Sequence, residues 1–324
     1  QARGARAEAI TAAAEIPAVP TDAFRFARVA AHPPEADVAV FRTSGTSLGP
    51  GSRGEHPLRT TATYERAALA WGARMLWPDG ARLRTIVLAP PLADARDSSL
   101  GFMLDLFAAH LSGAASWHVR ARDGHAELDA EGFQRACAEA RAAGEPAIVL
   151  GTAFAFVHVL EALPPGGAAL PEGSRAMQTG GFKGRSREVS AEELRDGIAA
   201  LLGMPPTRVA GEYGMTELGS QLYEGTLAAA LGGGEARAGA YVPPPWVRVT
   251  AVDPATLAPL PEGEVGIARV VDLANVDSAV AVQTADRVRV TAAGVELFGR
   301  APDATPRGCS LALDEMLGAA VERG

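Results

Sequence analysis

Ala147-Ile-Val-Leu-Gly-Thr-Ala-Phe-Ala-Phe-Val-His-Val-Leu160 is the longest apolar stretch of the chain, bounded by Glu145-Pro146 and Glu161. It is too short to cross a bilayer, which takes about 20 apolar residues. Its first four residues read as a buried strand, and Gly151-Thr152 turns the chain into a helix running through Leu163. A strand feeding straight into a helix is the unit of a parallel sheet, and the signal recurs on both sides. Thr85-Ile-Val-Leu-Ala89 is a buried strand cut by Pro90-Pro91, and residues 98–110 are helical behind a Ser N-cap. Residues 114–119 are strand-like and 129–143 helical. Residues 174–178 form a short strand leading into Gly180-Gly181, and Ser190-Ala-Glu-Glu193 matches a capping box that starts a helix to Leu202. Upstream, 38–41 is a short strand and 60–77 a helix, with Tyr64, Ala68, Trp71 and Met75 spaced three and four apart. Residues 1–16, rich in Ala, Arg and Glu, read as a further helix. Alternation to about residue 210 implies an α/β fold with largely parallel sheets flanked by helices.

After residue 240 the character changes. Stretches 246–252, 264–271, 281–283, 287–290 and 295–298 read as short strands separated by Pro, Gly and Asp. The expected division is an α/β core over 1–240 and a smaller β-rich subdomain over 241–324. Gly232-Gly-Gly234 and Pro243-Pro-Pro245 punctuate the junction. With 324 residues, 48% of them hydrophobic, the chain has enough apolar side chains for a sizeable core. A formal net charge of −8 argues against a general nucleic-acid binder working through a basic surface. The first twenty residues carry no continuous apolar segment of the kind a secretory leader needs. Two cysteines, Cys137 and Cys309, make neither a disulfide framework nor a zinc cluster, so a reducing cytoplasm is the expected compartment. Of 30 basic residues only Lys183 is a lysine, which makes it worth locating, because arginine does not replace an ammonium everywhere.

Two segments are dense in chemistry. Thr43-Ser-Gly-Thr-Ser-Leu-Gly-Pro-Gly-Ser-Arg-Gly54 fits three patterns. Gly45-Thr-Ser47-Leu-Gly49 matches a nucleophile elbow, and Gly49 to Gly54 a dinucleotide fingerprint. Both need a helix straight after, and Pro50, Gly51, Gly54 and Pro57 do not supply one. The third pattern is a glycine- and hydroxyl-rich loop that wraps phosphates with converging backbone N–H groups; a plain polar surface loop has the same composition. The second segment is Gly211-Glu-Tyr-Gly-Met-Thr-Glu217. A Tyr beside a Gly offers a flat face to a nucleobase, and a Thr-Glu pair offers the hard oxygen ligands that Mg²⁺ prefers. Alone it reads equally as a strand end with a turn.

Thr43-Ser-Gly-Thr-Ser47, Gly180-Gly181, Tyr213-Gly-Met-Thr-Glu217, Thr284-Ala-Asp286 and Gly299-Arg300, in that order, resemble the core motifs of the adenylate-forming superfamily. Thr179-Gly-Gly-Phe-Lys-Gly184, Glu212-Tyr-Gly-Met-Thr-Glu-Leu218 and Arg307-Gly-Cys-Ser310 narrow the likeness. They resemble the acyl-protein synthetase family, the acyl-activating component of bioluminescence-type fatty-acid reductases. The resemblance implies that Thr43, Ser44, Gly45, Thr46 and Ser47 hold the β- and γ-phosphates of ATP. Gly180, Gly181 and Phe182 would line the adenine, and Tyr213, followed by Gly214, would stack on it. Thr216 would contact the α-phosphate, Glu217 would ligate Mg²⁺, and Asp286 would take the ribose hydroxyls with Arg300 close by. The phosphate loop departs from the superfamily's usual Gly-x-Pro-Lys ending: Gly49-Pro50 is followed by Gly51, and the nearest cation is Arg53. Only 24 residues follow Arg300, so a full C-terminal lid domain with its catalytic Lys is not expected here.

The implied reaction is attack of a substrate carboxylate, fatty or aryl, on the α-phosphorus of ATP, then acyl transfer to a thiol. A carboxylate is already ionised at neutral pH and needs no general base. Lys183, beside the adenine loop, becomes a candidate for the cation the lid would have brought; a solvated loop lysine is the plain alternative. Cys309 is a candidate acyl acceptor, since flanking Arg favours the reactive thiolate, and a small buried residue is the alternative. CoA, an acyl-carrier protein or a reductase are the other acceptors or partners. His56, near the phosphate loop, is a candidate phosphate contact, and Asp97-Ser98-Ser99 caps a helix or lines an acyl pocket. The rival readings are an aryl- or acyl-CoA ligase-like enzyme of secondary metabolism, a non-catalytic nucleotide- or acyl-binding scaffold, and a serine esterase at Ser47.

Overall fold

The structure, a computed structural model, describes residues 9–12, 15–43, 53–122, 125–180 and 190–301. Its first elements are β1 (Val19–Pro20), α1 (Ala23–Phe26), β2 (Ala39–Arg42), β3 (Glu55–Leu58), α2 (Ala62–Leu76), β4 (Leu83–Leu88), α3 (Ser99–His110) and β5 (Ser112–Trp117). Then come β6 (Val119–Arg122), β7 (His125–Leu128), α4 (Ala130–Ala143), β8 (Ala147–Thr152), α5 (Ala153–Ala162), β9 (Arg175–Thr179) and α6 (Ala191–Leu202). The remainder is β10 (Val209–Tyr213), β11 (Leu222–Glu224), α7 (Thr226–Gly232), β12 (Ala240–Val242), β13 (Val247–Val252), β14 (Val265–Asp272), β15 (Ala281–Thr291) and β16 (Gly294–Arg300).

The alternating half of the sequence builds five parallel strands in the order β5-β4-β8-β9-β10. Apolar residues alternate across them as a two-sided sheet requires. Ile86, Leu88, Val149, Ala176 and Val209 join one cluster, covered by Phe133 and Cys137 of α4, Phe156 of α5 and Ile198 of α6. Val87, Ile148, Leu150, Met177 and Ala210 join the other, covered by Trp71 of α2, Met103 and Phe107 of α3, and Leu227 of α7. The helices start where short polar side chains satisfy open backbone N–H groups. Ser98 accepts from Gly101 N, Asp129 from Gly132 N and Thr152 from Ala155 N. Ser190 and Glu193 form the full capping box expected from the sequence. Ser98 therefore caps α3.

Beyond β10 the same sheet continues antiparallel through β11, β12, β16, β15, β14 and β13. Its core is a third cluster that includes Leu218, Leu222, Val249, Val270, Val282 and Val295. Two expectations are corrected. Residues 281–283 and 287–290 are one strand, β15, because Thr284-Ala-Asp286 stays extended across a bulge between Asp286 and Val288. The continuous helix over 1–16 does not form among the described residues. Ile10 to Ala12 are not helical, and the Glu15 carboxylate instead accepts the backbone N–H groups of Thr11 and Ala12 and the Thr11 hydroxyl.

Candidate active site

β10 delivers the Tyr213–Glu217 segment to the carboxyl end of the parallel strands, where open α/β sheets bind ligands. The Tyr213 hydroxyl donates to Asp286 Oδ2 at 2.7 Å. Asp286 faces Arg300 across the β15–β16 register, and Arg300 Nε lies 3.8 Å from its Oδ1. Asp286 N is in turn held by Thr284 Oγ1 at 3.0 Å. Three of the motif segments quoted from the sequence thus meet at one point. Burial, and then the neighbouring Asp286 carboxylate, push the Tyr213 phenol well above its ordinary range, so it remains a proton donor at neutral pH.

Thr216 and Glu217 are both buried. Burial pushes the Glu217 carboxyl up to about 7; a bond from its own backbone and the charge of Arg300 oppose that in part. Two side chains from distant elements hold the carbonyls of this pair. His56 Nδ1 is 2.6 Å from Thr216 O, and Asn275 Nδ2 donates to Glu217 O at 2.9 Å and to Ala279 O at 2.8 Å. A carbonyl only accepts, so His56 carries its proton on Nδ1. Burial lowers the His56 pKa and favours the neutral ring.

His56 belongs to the β2–β3 hairpin, whose 43–54 connection is the candidate phosphate loop. Both ends of that connection are bonded: Thr43 N donates to Gly54 O at 2.9 Å, and Gly54 N to Thr43 Oγ1 at 2.8 Å. Arg53 does not stand free as a substitute cation. It donates to Thr43 O at 2.7 Å and to Asp97 Oδ2 at 2.8 Å, bracing the neck of the loop against the residue before the α3 cap. Ser44, Gly45, Thr46, Ser47, Gly181, Phe182, Lys183 and Cys309 lie outside the described residues. Gly180 follows β9 with φ +92°, a conformation that favours glycine.

Residues 7–318 match the family described as acyl-protein synthetase, LuxE. The chain belongs to this family. No curated protein sequence matches it. Among solved structures it is similar to ATP-bound MatB from Rhodopseudomonas palustris. The identity is 17% and the TM-score 0.58, over 83% of this chain and 49% of that one. It is also similar to a 2-hydroxyisobutyryl-CoA ligase in an open conformation with 2-HIB-AMP and CoA, at 16% identity and TM-score 0.57, over 85% and 60%. The amide bond synthetase McbA from Marinactinospora thermotolerans follows at 18% and 0.54, over 82% and 49%. At these identities the likeness shows the fold, and this LuxE-family chain spans about half the length of the first of them.

Sequence reasoning missed a second buried carboxyl beside the site. Glu212, one residue before Tyr213, accepts a hydrogen bond from the Thr179 hydroxyl at the end of β9. Burial pushes Glu212 up to about 7, against the pull of that hydroxyl. A Cβ at Gly214 would stand 2.5 Å from Glu212 Oε1 and displace that carboxyl. Also missed was the Asp272–Asp277 segment. Asp272 accepts from Gly219 N and Ser220 Oγ, Asn275 holds Glu217, and Asp277 pairs with Arg59 at 3.1 Å just after β3. The signal was in the sequence as three polar residues, Asp272, Asn275 and Asp277, packed into a stretch that reads otherwise as a strand end.

Proposed function

We propose that the chain activates a carboxylic acid with ATP, forming an acyl-adenylate and pyrophosphate, and then passes the acyl group to a thiol. Family membership supports the reaction type. The observation that carries the reading is the convergence at the end of β10: Asp286 holds Tyr213 from one side, and the hairpin of the 43–54 connection holds Thr216 from the other.

In this reading a substrate carboxylate oxygen attacks the α-phosphorus, the bond to the pyrophosphate oxygen breaks, and no proton has to be removed. The barrier comes from crowded negative charge, so positioning and neutralisation do most of the catalysis. Tyr213 presents its ring to the adenine while its hydroxyl orients Asp286 for the ribose. Thr43, with Ser44 to Ser47, holds the outer phosphates, Gly180, Gly181 and Phe182 line the base, and Thr216 meets the α-phosphate. Arg300 and Lys183 supply positive charge near the reacting groups. Among the described residues no group of three or more His, Cys, Asp or Glu side chains could hold a metal by itself. A single buried carboxylate, Glu217, fits Mg²⁺, which shares its ligands with nucleotide phosphates; bound there, Mg²⁺ would neutralise phosphate charge. In the second step a thiolate attacks the acyl carbon and AMP leaves. Cys309, CoA or a carrier-protein arm is the acceptor, and a reductase is the partner that would consume the product. Fatty or aryl acids, the latter as in secondary metabolism, are the proposed substrates. No helix among the described residues is long and apolar enough to cross a membrane, and a cytoplasmic setting is part of the proposal. So is the division into a 1–240 core and a 241–324 subdomain that completes the nucleotide site.

The test is ATP–pyrophosphate exchange across a panel of fatty and aryl acids, followed by trapping of acylated protein with labelled acid. Acid-dependent exchange, with label lost in Cys309→Ala, is expected. Exchange with none of the acids overturns the adenylation reading, and label that persists in Cys309→Ala overturns the acceptor.

A further inference from the structure

Two successive carbonyl oxygens in the Thr216-Glu217 pair are each held by a side chain that is almost wholly buried. His56 is 0% exposed and Asn275 1%. They come from parts of the chain 219 residues apart, the β2–β3 hairpin and the segment after β14. The His56 ring also stands edge-on to Phe24 at 6.0 Å and 84°. The hairpin is tied to the same segment a second time, because Arg59 N donates to Asp277 Oδ2 at 3.1 Å and the Arg59 guanidinium pairs with Asp277 Oδ1. Nothing about helix or strand formation requires an imidazole at His56: β3 pairs with β2 through the backbone ladder and the Arg42–Glu55 ion pair, neither of which uses the ring.

We infer that His56 is a positioning residue that sets the Thr216-Glu217 pair relative to the β2–β3 hairpin, so that Thr43 at its neck and Thr216 act on one triphosphate. The inference rests on the adenylation reading. The hairpin residue and the pair it holds lie 160 residues apart in the chain, and a misplacement of about 1 Å between reacting parts costs on the order of a hundredfold in rate. The Nδ1–H to Thr216 carbonyl bond fixes that separation, and with it the direction of the following Glu217 amide. His56 touches neither nucleotide nor acid in this arrangement, and acts only through Thr216.

Two near-isosteric variants separate this from a merely structural role. In His56→Asn the side-chain amide N–H stands where Nδ1 does and keeps the donor. In His56→Gln it stands near Nε2 and withdraws this donor from the Thr216 carbonyl. In ATP–pyrophosphate exchange, His56→Gln is expected to lower the maximal rate ten- to a hundredfold, with the KM for ATP within threefold of wild type. His56→Asn is expected to restore the rate to within threefold. Equal rates in the two variants, or a loss seen only in KM, overturn the inference while the adenylation reading stands. No exchange by the wild-type chain with any acid overturns both. ¹⁵N-histidine spectra of the wild-type chain need no variant to fold. A His56 signal of the Nδ1–H tautomer that shifts on adding ATP and Mg²⁺ supports the inference; an Nε2–H tautomer, or a signal that does not move, overturns it.

Discussion

The parallel half of the sheet and the seam where it turns antiparallel are built from different material. Between β5 and β10 the interior is mostly apolar and packed under helices on both faces, with Thr85, Thr152, Arg175, Gln178 and Thr179 among the buried polar side chains of these strands. At the seam where the sheet turns antiparallel, the interior holds Glu212, Thr216, Glu217, Glu224, Asp272, Asn275 and Asp277, all buried. Apolar burial contributes about 25 cal/mol per Å² whatever the partner. A buried carboxyl has to be supplied with donors one by one, or stay protonated. Glu224 has such donors, from Gly211 N, Gly239 N and Arg195. Glu212 and Glu217 remain pushed up to about 7. The first region thus answers for stability, while the second spends stability on holding charge-bearing groups at the strand ends.

That contrast is broken or sharpened most strongly by one replacement in each region. Phe133 is fully buried in α4, edge-on to His118 at 6.1 Å. Phe133→Ala is expected to cost about 3–5 kcal/mol of stability and to leave the KM for ATP of the folded fraction unchanged. Glu217→Gln is expected to do the reverse: roughly a hundredfold or greater loss of pyrophosphate exchange, with a melting temperature no lower than wild type. Denaturant unfolding and exchange kinetics on the same two variants check it. If Glu217→Gln melts far below wild type and keeps its activity, the seam is a structural core after all.

The same contrast explains what could be read from the sequence. The parallel half was legible because periodicity, caps and Pro punctuation agree: Ser190 and Glu193 form the capping box their spacing implies, and 147–150 is strand followed by helix. The antiparallel half was harder. A strand that carries Thr284-Ala-Asp286 in its middle looks broken, and only the bulge at Asp286 keeps it whole. Of the candidate site, the proximity was legible where motifs name residues, as with Tyr213, Asp286 and Arg300, which meet; their roles belong to the proposal. It was not legible where a residue acts through space. His56 and Asn275 reach Thr216 and Glu217 from 160 and 58 residues away, and no local pattern carries such a contact. Arg53 shows the converse: in the sequence it is the cation nearest the loop, but its charge is engaged by Asp97.

Glu212 gives the next largest effect, and it is one of stability rather than activity. Its carboxyl rises from an ordinary 4.5 to about 7 in the fold. The folded state therefore binds this proton more tightly than the unfolded chain does. The resulting stabilisation is fully present below about pH 4.5 and is lost as pH climbs through 7. Glu212→Gln, which keeps an acceptor for the Thr179 hydroxyl, removes this term. The variant is expected to gain on wild type by about 2 kcal/mol between pH 5 and pH 8, read from denaturant midpoints at the two pH values. A stability difference that is the same at both would mean the carboxyl is not held protonated at the seam.

The smallest change is the removal of a single oxygen. Tyr213→Phe keeps the ring that would face a nucleobase and deletes the hydroxyl that donates to Asp286 Oδ2. A hydrogen bond to a charged acceptor contributes about 1.5–3 kcal/mol, but Arg300 remains opposite Asp286 in the β15–β16 register and offsets part of the loss. The net effect on nucleotide binding is then expected at about tenfold or a little less, which corresponds to about 1.4 kcal/mol. Because Asp286 is assigned to the ribose and the ring to the base, the loss should fall on the KM for ATP. The maximal exchange rate with saturating nucleotide should change less than threefold. Replacing ATP by its 2′-deoxy form sharpens the point. If Tyr213 acts by orienting Asp286 toward the ribose hydroxyls, the penalties of the deoxy substrate and of Tyr213→Phe are less than additive. Full additivity would mean that the hydroxyl and the carboxylate, though 2.7 Å apart, serve the nucleotide separately, and that the polar seam is a set of independent contacts rather than a connected one.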